Sequence, residues 1–218
     1  MKTELITNIV KAVKILLDEN DVNLNVLTAS QDQVELDTLI KGQITPAVRY
    51  IHMNAPAALL DGVPMPASPI VTSGGSGYIN MDTEFMRPLL LQMTGWAKPV
   101  TVFMSDTDPD YVLQTSQYRG IKGNQYKPVC VLTSGVNGST VVKRIEFYSV
   151  AANDNNPTIA RSACLLYPKI NGSGLSETIM ICPNVYEAVL YMTAGLTAQS
   201  IKDKNAEALI NTAKALIQ

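Results

Sequence analysis

Charge is what this chain has least of. Between Met65 and Pro183 only 17 of 119 residues are Asp, Glu, Lys or Arg, against about 25% in an average soluble domain. The whole chain carries 17 basic and 19 acidic residues, for a net charge of -2 and a pI near 5.4. That balance gives no global electrostatic case for nucleic acid or an anionic membrane as partner. Histidine is nearly absent: His52 stands alone. A Ser-His-Asp or Cys-His arrangement would have to use it. It lies in a helical segment, Ile51-His52-Met53, with no carboxylate three or four residues away, so a packing role is expected. A two-histidine metal site is excluded by count. Cysteine is sparse as well. Cys130, Cys164 and Cys182 are odd in number and widely spaced, which argues against a disulfide framework or a zinc cluster. Each sits in an apolar stretch and reads as a small buried hydrophobe, and folding in a reducing cytoplasm is expected. Long apolar runs are missing too. Pro88–Met93 is the longest candidate, far short of the ~18 residues of a membrane span. The apolar residues of Met1-Lys2-Thr3-Glu4-Leu5 and beyond are periodic rather than continuous, so no secretory signal is expected.

In place of charge the chain has uncharged polar groups. Ser, Thr, Asn and Gln fill 55 of 218 positions, while 46% of the residues are hydrophobic. The length suffices for a real core, as one large domain or two small ones. A polar but weakly charged surface can be covered by neighbours without desolvating many ions. The expectation is a protein that works inside an assembly.

Hydrophobic periodicity predicts helices at both ends. Over residues 3–19, Leu5, Ile6, Ile9, Val10, Val13, Leu16 and Leu17 form one stripe, with Thr3 as N-cap. Over residues 32–60, Leu36, Leu39, Ile40, Ile44, Ala47, Val48 and Ile51 share a face. Gly42 and Pro46 interrupt it, which predicts a kink or two helices with Thr45 capping the second. Near the end, Asn184 with Glu187 reads as a capping box. Val185, Val189, Met192 and Leu196 follow as a stripe that Gly195 weakens. Ser200 is expected to cap a last helix in which Ala206, Leu209, Ile210, Ala213, Leu216 and Ile217 share a face. The small residues Ala188, Ala194, Ala198, Ala206, Ala208, Ala213 and Ala215 would let helices approach closely.

Between these ends the pattern shortens. A loop of Pro, Ser and Gly runs to Gly77. Strands are expected at Met86–Thr94, Pro99–Met104, Pro128–Thr133, Val141–Val150, Ala163–Ile170 and Glu177–Cys182. Val136-Asn137-Gly138-Ser139 is the clearest hairpin turn. The predicted class is α+β: terminal helices in an antiparallel bundle, with a large inserted antiparallel β-module of sandwich or barrel-like form. The segments are 1–64, 65–183 and 184–218.

Ser73-Gly74-Gly75-Ser76-Gly77 is glycine-rich, but a phosphate-cradling loop needs a helix behind it. Tyr78-Ile79-Asn80 reads as extended, so a flexible loop is expected. Asp106, Asp108 and Asp110 are spaced like the start of a calcium loop. Its sixth position is Tyr111 rather than Gly, and its twelfth is Gln117 rather than Glu. The stretch reads as a solvated loop or a rim that meets a neighbour. No metal or cofactor is expected. Asn137-Gly138-Ser139 and Asn171-Gly172-Ser173 match a glycosylation pattern and are read as turns. The loop Ser105–Lys127 is long for a strand connection. Its Tyr111, Tyr118, Arg119, Lys122, Tyr126 and Lys127 mix aromatic and basic groups. That weakly matches a single-strand-binding surface, and better matches a grip on a neighbouring subunit. The competing reading is a mobile loop whose tyrosines fold back on the β-module.

Two stretches carry a resemblance. One is Tyr126-Lys127-Pro128-Val129-Cys130-Val131-Leu132, the Asn137-Gly138 turn, and Arg144-Ile145-Glu146-Phe147-Tyr148-Ser149. The other runs from Asn184-Val185-Tyr186-Glu187-Ala188 through Tyr191–Leu196 to Ala206–Ile210 and Ala213–Ile217. Together they resemble virion connector (ring or collar) proteins of tailed phages, especially the crAss-like phages of Bacteroidales hosts. The helical frame is similar to that of head-to-tail adaptors of short-tailed phages. The resemblance implies a non-enzymatic, homo-oligomeric ring protein of the virion, assembled in the host cytoplasm. Such a ring would continue the portal channel, retain packaged DNA and dock the tail. It also implies twelve copies, contacts with the portal and other connector or tail proteins, a passing contact with phage DNA, and no membrane. The alternatives are a capsid decoration or fibre-anchoring protein and, from another class, a hydrolase or transferase.

Overall fold

The structure, a computed structural model, describes residues 1–19, 36–65, 68–73, 75–116, 118, 121–150 and 156–218. The chain is mixed α+β and divides into two compact units, one of residues 1–61 and 167–218, the other of residues 62–166.

Among the described residues the first unit contains four α-helices, α1 (Ile6–Glu19), α2 (Leu36–Asn54), α3 (Tyr186–Ser200) and α4 (Ala206–Ala215). In α1 the buried residues are Ile6, Ile9, Val10, Val13 and Leu17, the expected helical stripe. The helix starts later than its periodicity suggests. Lys2–Leu5 form a strand, β1, antiparallel to Thr178–Ile181, so Thr3 faces Met180 and caps nothing. Residues 32–35 of the expected second helix lie outside the described residues. From Leu36 the helix is a single one, not two, with Pro46 inside it. Pro46 has no N–H to offer the carbonyl of Gly42 four residues back, so the two breakers fall on the same missing bond. Ile40, Ile44, Ala47, Val48, Ile51 and His52 are its buried face.

Helix α3 packs against α1, α2 and α4. Ala188, Val189, Met192, Thr193, Ala194, Gly195, Thr197 and Ala198 are all buried, so it is covered nearly all round rather than along one stripe. Its buried hydroxyls find partners locally: Thr193 Oγ1 donates to the Val189 carbonyl at 2.7 Å and Thr197 Oγ1 to Thr193 at 2.8 Å. The expected capping box does not form. Pro183–Val185 make a 3-10 turn ahead of α3, which takes Asn184 out of the N-cap position, and no side chain caps the helix. Ser200 ends α3 rather than capping α4. Its hydroxyl donates to the Leu196 carbonyl, while Asp203 accepts the Asn205 N–H at 2.7 Å just before α4. Gly195 sits where α3 meets α4, and a Cβ there would lie 2.6 Å from Ile210 Cγ1 and 3.0 Å from Ile210 N. Of the small residues expected to ease helix packing, Ala188, Ala194, Ala198, Ala206 and Ala213 are buried, whereas Ala208 and Ala215 face solvent.

The second unit is built on β2 (Ile70–Ser73), β3 (Ser76–Asn80), β4 (Phe85–Met93), β5 (Met104–Ser105), β6 (Cys130–Asn137), β7 (Thr140–Phe147) and β8 (Ile159–Leu166). The remaining strand, β9 (Thr178–Ile181), belongs with the helices, so residues 167–183 fall outside this unit. Five strands form one sheet in the order β2-β3-β7-β6-β5, and β4 pairs with β8. Every pairing is antiparallel except β5 with β6, which is parallel. Among the described residues no sheet closes into a barrel. Both sheets feed one core of Met65, Ile79, Phe85, Leu91, Met93, Trp96, Cys130, Ile145, Phe147 and Cys164 with their neighbours. The hairpin at Asn137-Gly138 forms as its sequence requires, with Asn137 opposite Thr140 and Gly138 at φ 64°. In the segment expected as a flexible loop, Ser73 pairs with Ser76 and Val71 with Gly77, at the end of a second hairpin, β2–β3. Gly77 is required there: a Cβ would lie 2.4 Å from both the Ile70 carbonyl oxygen and the Phe147 ring.

Candidate interaction surface

The segment between β5 and β6 is tethered at several points, with apolar side chains left outside. Asp108 starts a 3-10 turn over Pro109–Thr115, its carboxylate accepting the Asp110 N–H at 3.0 Å. Residues three apart share a face of such a turn. Tyr111 and Gln114 share the inward face. Gln114 is buried; its Oε1 accepts the Gly123 N–H at 2.9 Å and its Nε2 donates to the Asp110 carbonyl. The Tyr111 hydroxyl donates to Glu146 on β7 at 3.2 Å. That carboxylate also accepts from Thr133 Oγ1 at 3.1 Å and from the Tyr148 hydroxyl. Burial first, and then the hydrogen bond to Glu146, hold the Tyr148 phenol protonated well above its ordinary range. Further on, Asn124 Oδ1 accepts the N–H groups of Tyr126 and Lys127, and the Gln125 carbonyl accepts from Ala97 N–H at 2.9 Å. Val129 N–H is bonded to Ser149 Oγ at 3.0 Å, and the Trp96 indole donates to the Ser149 carbonyl at 2.9 Å.

The expected contact residues therefore separate. Tyr111 folds back on the sheet. Tyr118 and Tyr126 are 74% and 79% exposed, and Lys122 is half-buried. Arg119 lies outside the described residues. Sequence reasoning passed over four exposed aliphatic residues in the same region, Val102, Val112, Leu113 and Ile121. The adjacent pair Val112-Leu113 inside a polar loop was the available signal. Soluble surfaces scatter apolar residues singly; several in one loop region mark contact surface.

The groups weighed for chemistry are placed elsewhere. His52 is fully buried in α2, its Nε2 accepting the Cys182 N–H, and burial pushes its pKa down to about 4. All three cysteines are buried and free. Burial pushes the Cys130 and Cys182 thiols up, and the Cys164 thiol up to about 11. Such thiols are poor nucleophiles. Among the described residues, no group of three or more His, Cys, Asp or Glu is arranged to hold a metal ion, and no helix is long and apolar enough to cross a membrane. Asp106 and Asp110 are exposed, Asp106 taking a hydrogen bond from Ser105. No protein-family model and no curated protein matches the chain.

Proposed function

We propose that this chain is a structural subunit of a tailed-phage virion, a ring protein of the head-to-tail connector or collar. The helical unit of 1–61 and 167–218 serves as the frame, an antiparallel bundle centred on α3, and the unit of 62–166 is a β-module inserted in its sequence. One observation carries the reading: Val112, Leu113, Tyr118, Ile121 and Tyr126 are all exposed in one segment that hydrogen bonds tether. A surface fixed before binding loses little entropy when a neighbour covers it. Low charge density supports the same reading, since few ions need desolvation.

The mechanism is geometric and needs no catalytic group. Copies meet side by side through a heterologous contact, which yields a ring when the rotation between neighbours closes. The ring continues the portal channel, retains packaged DNA and presents a platform for the tail. Negative-stain images and sedimentation of the purified chain test this. Rings with a central opening are expected. Uniform compact monomers at high concentration would overturn it in favour of a decoration or fibre-anchoring protein.

A further inference from the structure

Self-association through one loop requires a receiving surface on the next copy, and the helical unit has a groove of matching chemistry. The groove, of about 320 Å³, is lined by Ile6, Val10, Lys11, Lys14, Lys41 and Gly174 together with Thr7, Thr38, Asp37 and Glu177. Its floor is apolar, formed by the buried Ile6 and Val10. Its rim holds three lysines against two carboxylates. Both carboxylates are engaged, Asp37 by Lys14 and Glu177 by Lys41. Lys11, with an exposed side chain, is the surplus positive charge.

The loop has the opposite sign and the same apolar character. From Ser105 to Ser116 there are three aspartates, Asp106, Asp108 and Asp110, and no basic residue. Because Tyr111 and Gln114 occupy the inward face of the 3-10 turn, Asp110 and Leu113 share an outward one. Val112 and Leu113 are 70% and 43% exposed. An acidic rim beside an aliphatic pair thus matches a lysine rim around an aliphatic floor.

We propose that the Asp106–Leu113 segment of one copy seats in the Ile6–Val10–Lys11 groove of a second copy. Val112 and Leu113 cover the floor, and Asp106 and Asp110 face the lysine rim. The contact is heterologous, because the two surfaces differ. Charge complementarity of this kind sets register and excludes wrong pairings. The inference rests on the ring-protein reading and identifies the partner surface that reading leaves open.

The test is a charge-reversal cycle on the full chain, followed by sedimentation velocity across a concentration series. The variants are Asp106→Lys with Asp110→Lys, Lys11→Glu, and all three together. Circular dichroism and Trp96 fluorescence check folding, and Asp106→Asn with Asp110→Asn is the milder substitute if the reversal does not fold. Each reversal alone is expected to weaken self-association tenfold or more, and the combination to recover most of the loss. If the aspartate variant weakens association but Lys11→Glu does nothing and rescues nothing, the groove is not the receiving surface, and the loop contact stands. If neither variant changes an association that the parent chain shows, this pairing and the loop contact both fail. A parent chain that stays monomeric throughout overturns the ring-protein reading and this pairing with it.

Discussion

Replacing Gly195 by alanine sets two effects of opposite sign against each other. In an open helix interior the change would stabilise by about 1 kcal/mol, the difference in helix propensity. Here the new Cβ would lie 2.6 Å from Ile210 Cγ1, 3.0 Å from Ile210 N and 3.2 Å from the Ala206 carbonyl oxygen. The first contact can relax by a side-chain movement. The other two are backbone atoms of α4 and its start, so the helix itself must back away. Overpacking of this kind costs about 1–3 kcal/mol, and the backbone contacts place it towards the upper end. The net expectation is a loss of about 1–2 kcal/mol. With a urea slope of about 2 kcal/mol per M, the midpoint falls by roughly 0.5–1 M. Circular dichroism at 222 nm reports the helical unit, while Trp96, the single tryptophan, is buried in the 62–166 unit and reports that one by fluorescence. The two signals are followed in the same titration. Ile210→Ala removes the nearest atom, so in that background the alanine penalty should shrink without vanishing. An unchanged midpoint, or one raised by the full propensity gain, would refute the close α3–α4 approach.

Three further outcomes are expected. His52 has a folded-state pKa near 4 against an ordinary 6.5, so the unfolded chain takes up a proton first as the pH falls. Its contribution, up to about 3 kcal/mol, is intact above pH 6.5 and disappears progressively down to pH 4; a urea midpoint that stays flat between pH 7 and 5 would contradict this. Tyr111→Phe deletes the hydroxyl that ties the 3-10 turn to Glu146. A hydrogen bond to a charged group is worth about 1.5–3 kcal/mol when buried and less at a half-buried site, so amides of residues 109–116 should exchange roughly tenfold faster; unchanged exchange would mean that the tether carries no weight. The three buried thiols should resist a disulfide reagent in the folded protein and all react in denaturant, as absorbance at 412 nm reads directly.

What could be read from the sequence was whatever depends on near neighbours. The stripe from Ile6 to Leu17, the buried face from Ile40 to Ile51 and the Asn137-Gly138 hairpin all repeat within one or two turns of chain, and all form. Lys2–Leu5 continued the helical stripe on paper. They pair with β9 instead, because an edge so far along the chain supplies the hydrogen bonds. Pro183 opens a 3-10 turn ahead of α3, so the expected Asn184–Glu187 capping box does not form. The glycines of Ser73–Gly77 looked like flexibility, yet Gly77 is a packing requirement that only the position of Phe147 reveals. In the loop, Tyr111, Tyr118 and Tyr126 are alike in composition. A single carboxylate, Glu146, 35 residues beyond Tyr111, turns that ring inward while the other two stay outside. No local pattern encodes that choice.

The pairing of Lys2 with Ile181 also bears on the order of folding during synthesis. Residues 62–166 hold all the strands of their own core, so that unit can fold as soon as it has emerged. Helix α1 cannot be completed then, since β9 and α3 are still to be made. At roughly 5–20 residues per second, the apolar face of α1 waits about ten to forty seconds for its partners. The segment translated early is thus among the last to become native. A chain ending before β9 and released from the ribosome should present Ile9, Val13 and Leu17 to chaperones, while its β unit is already resistant to protease.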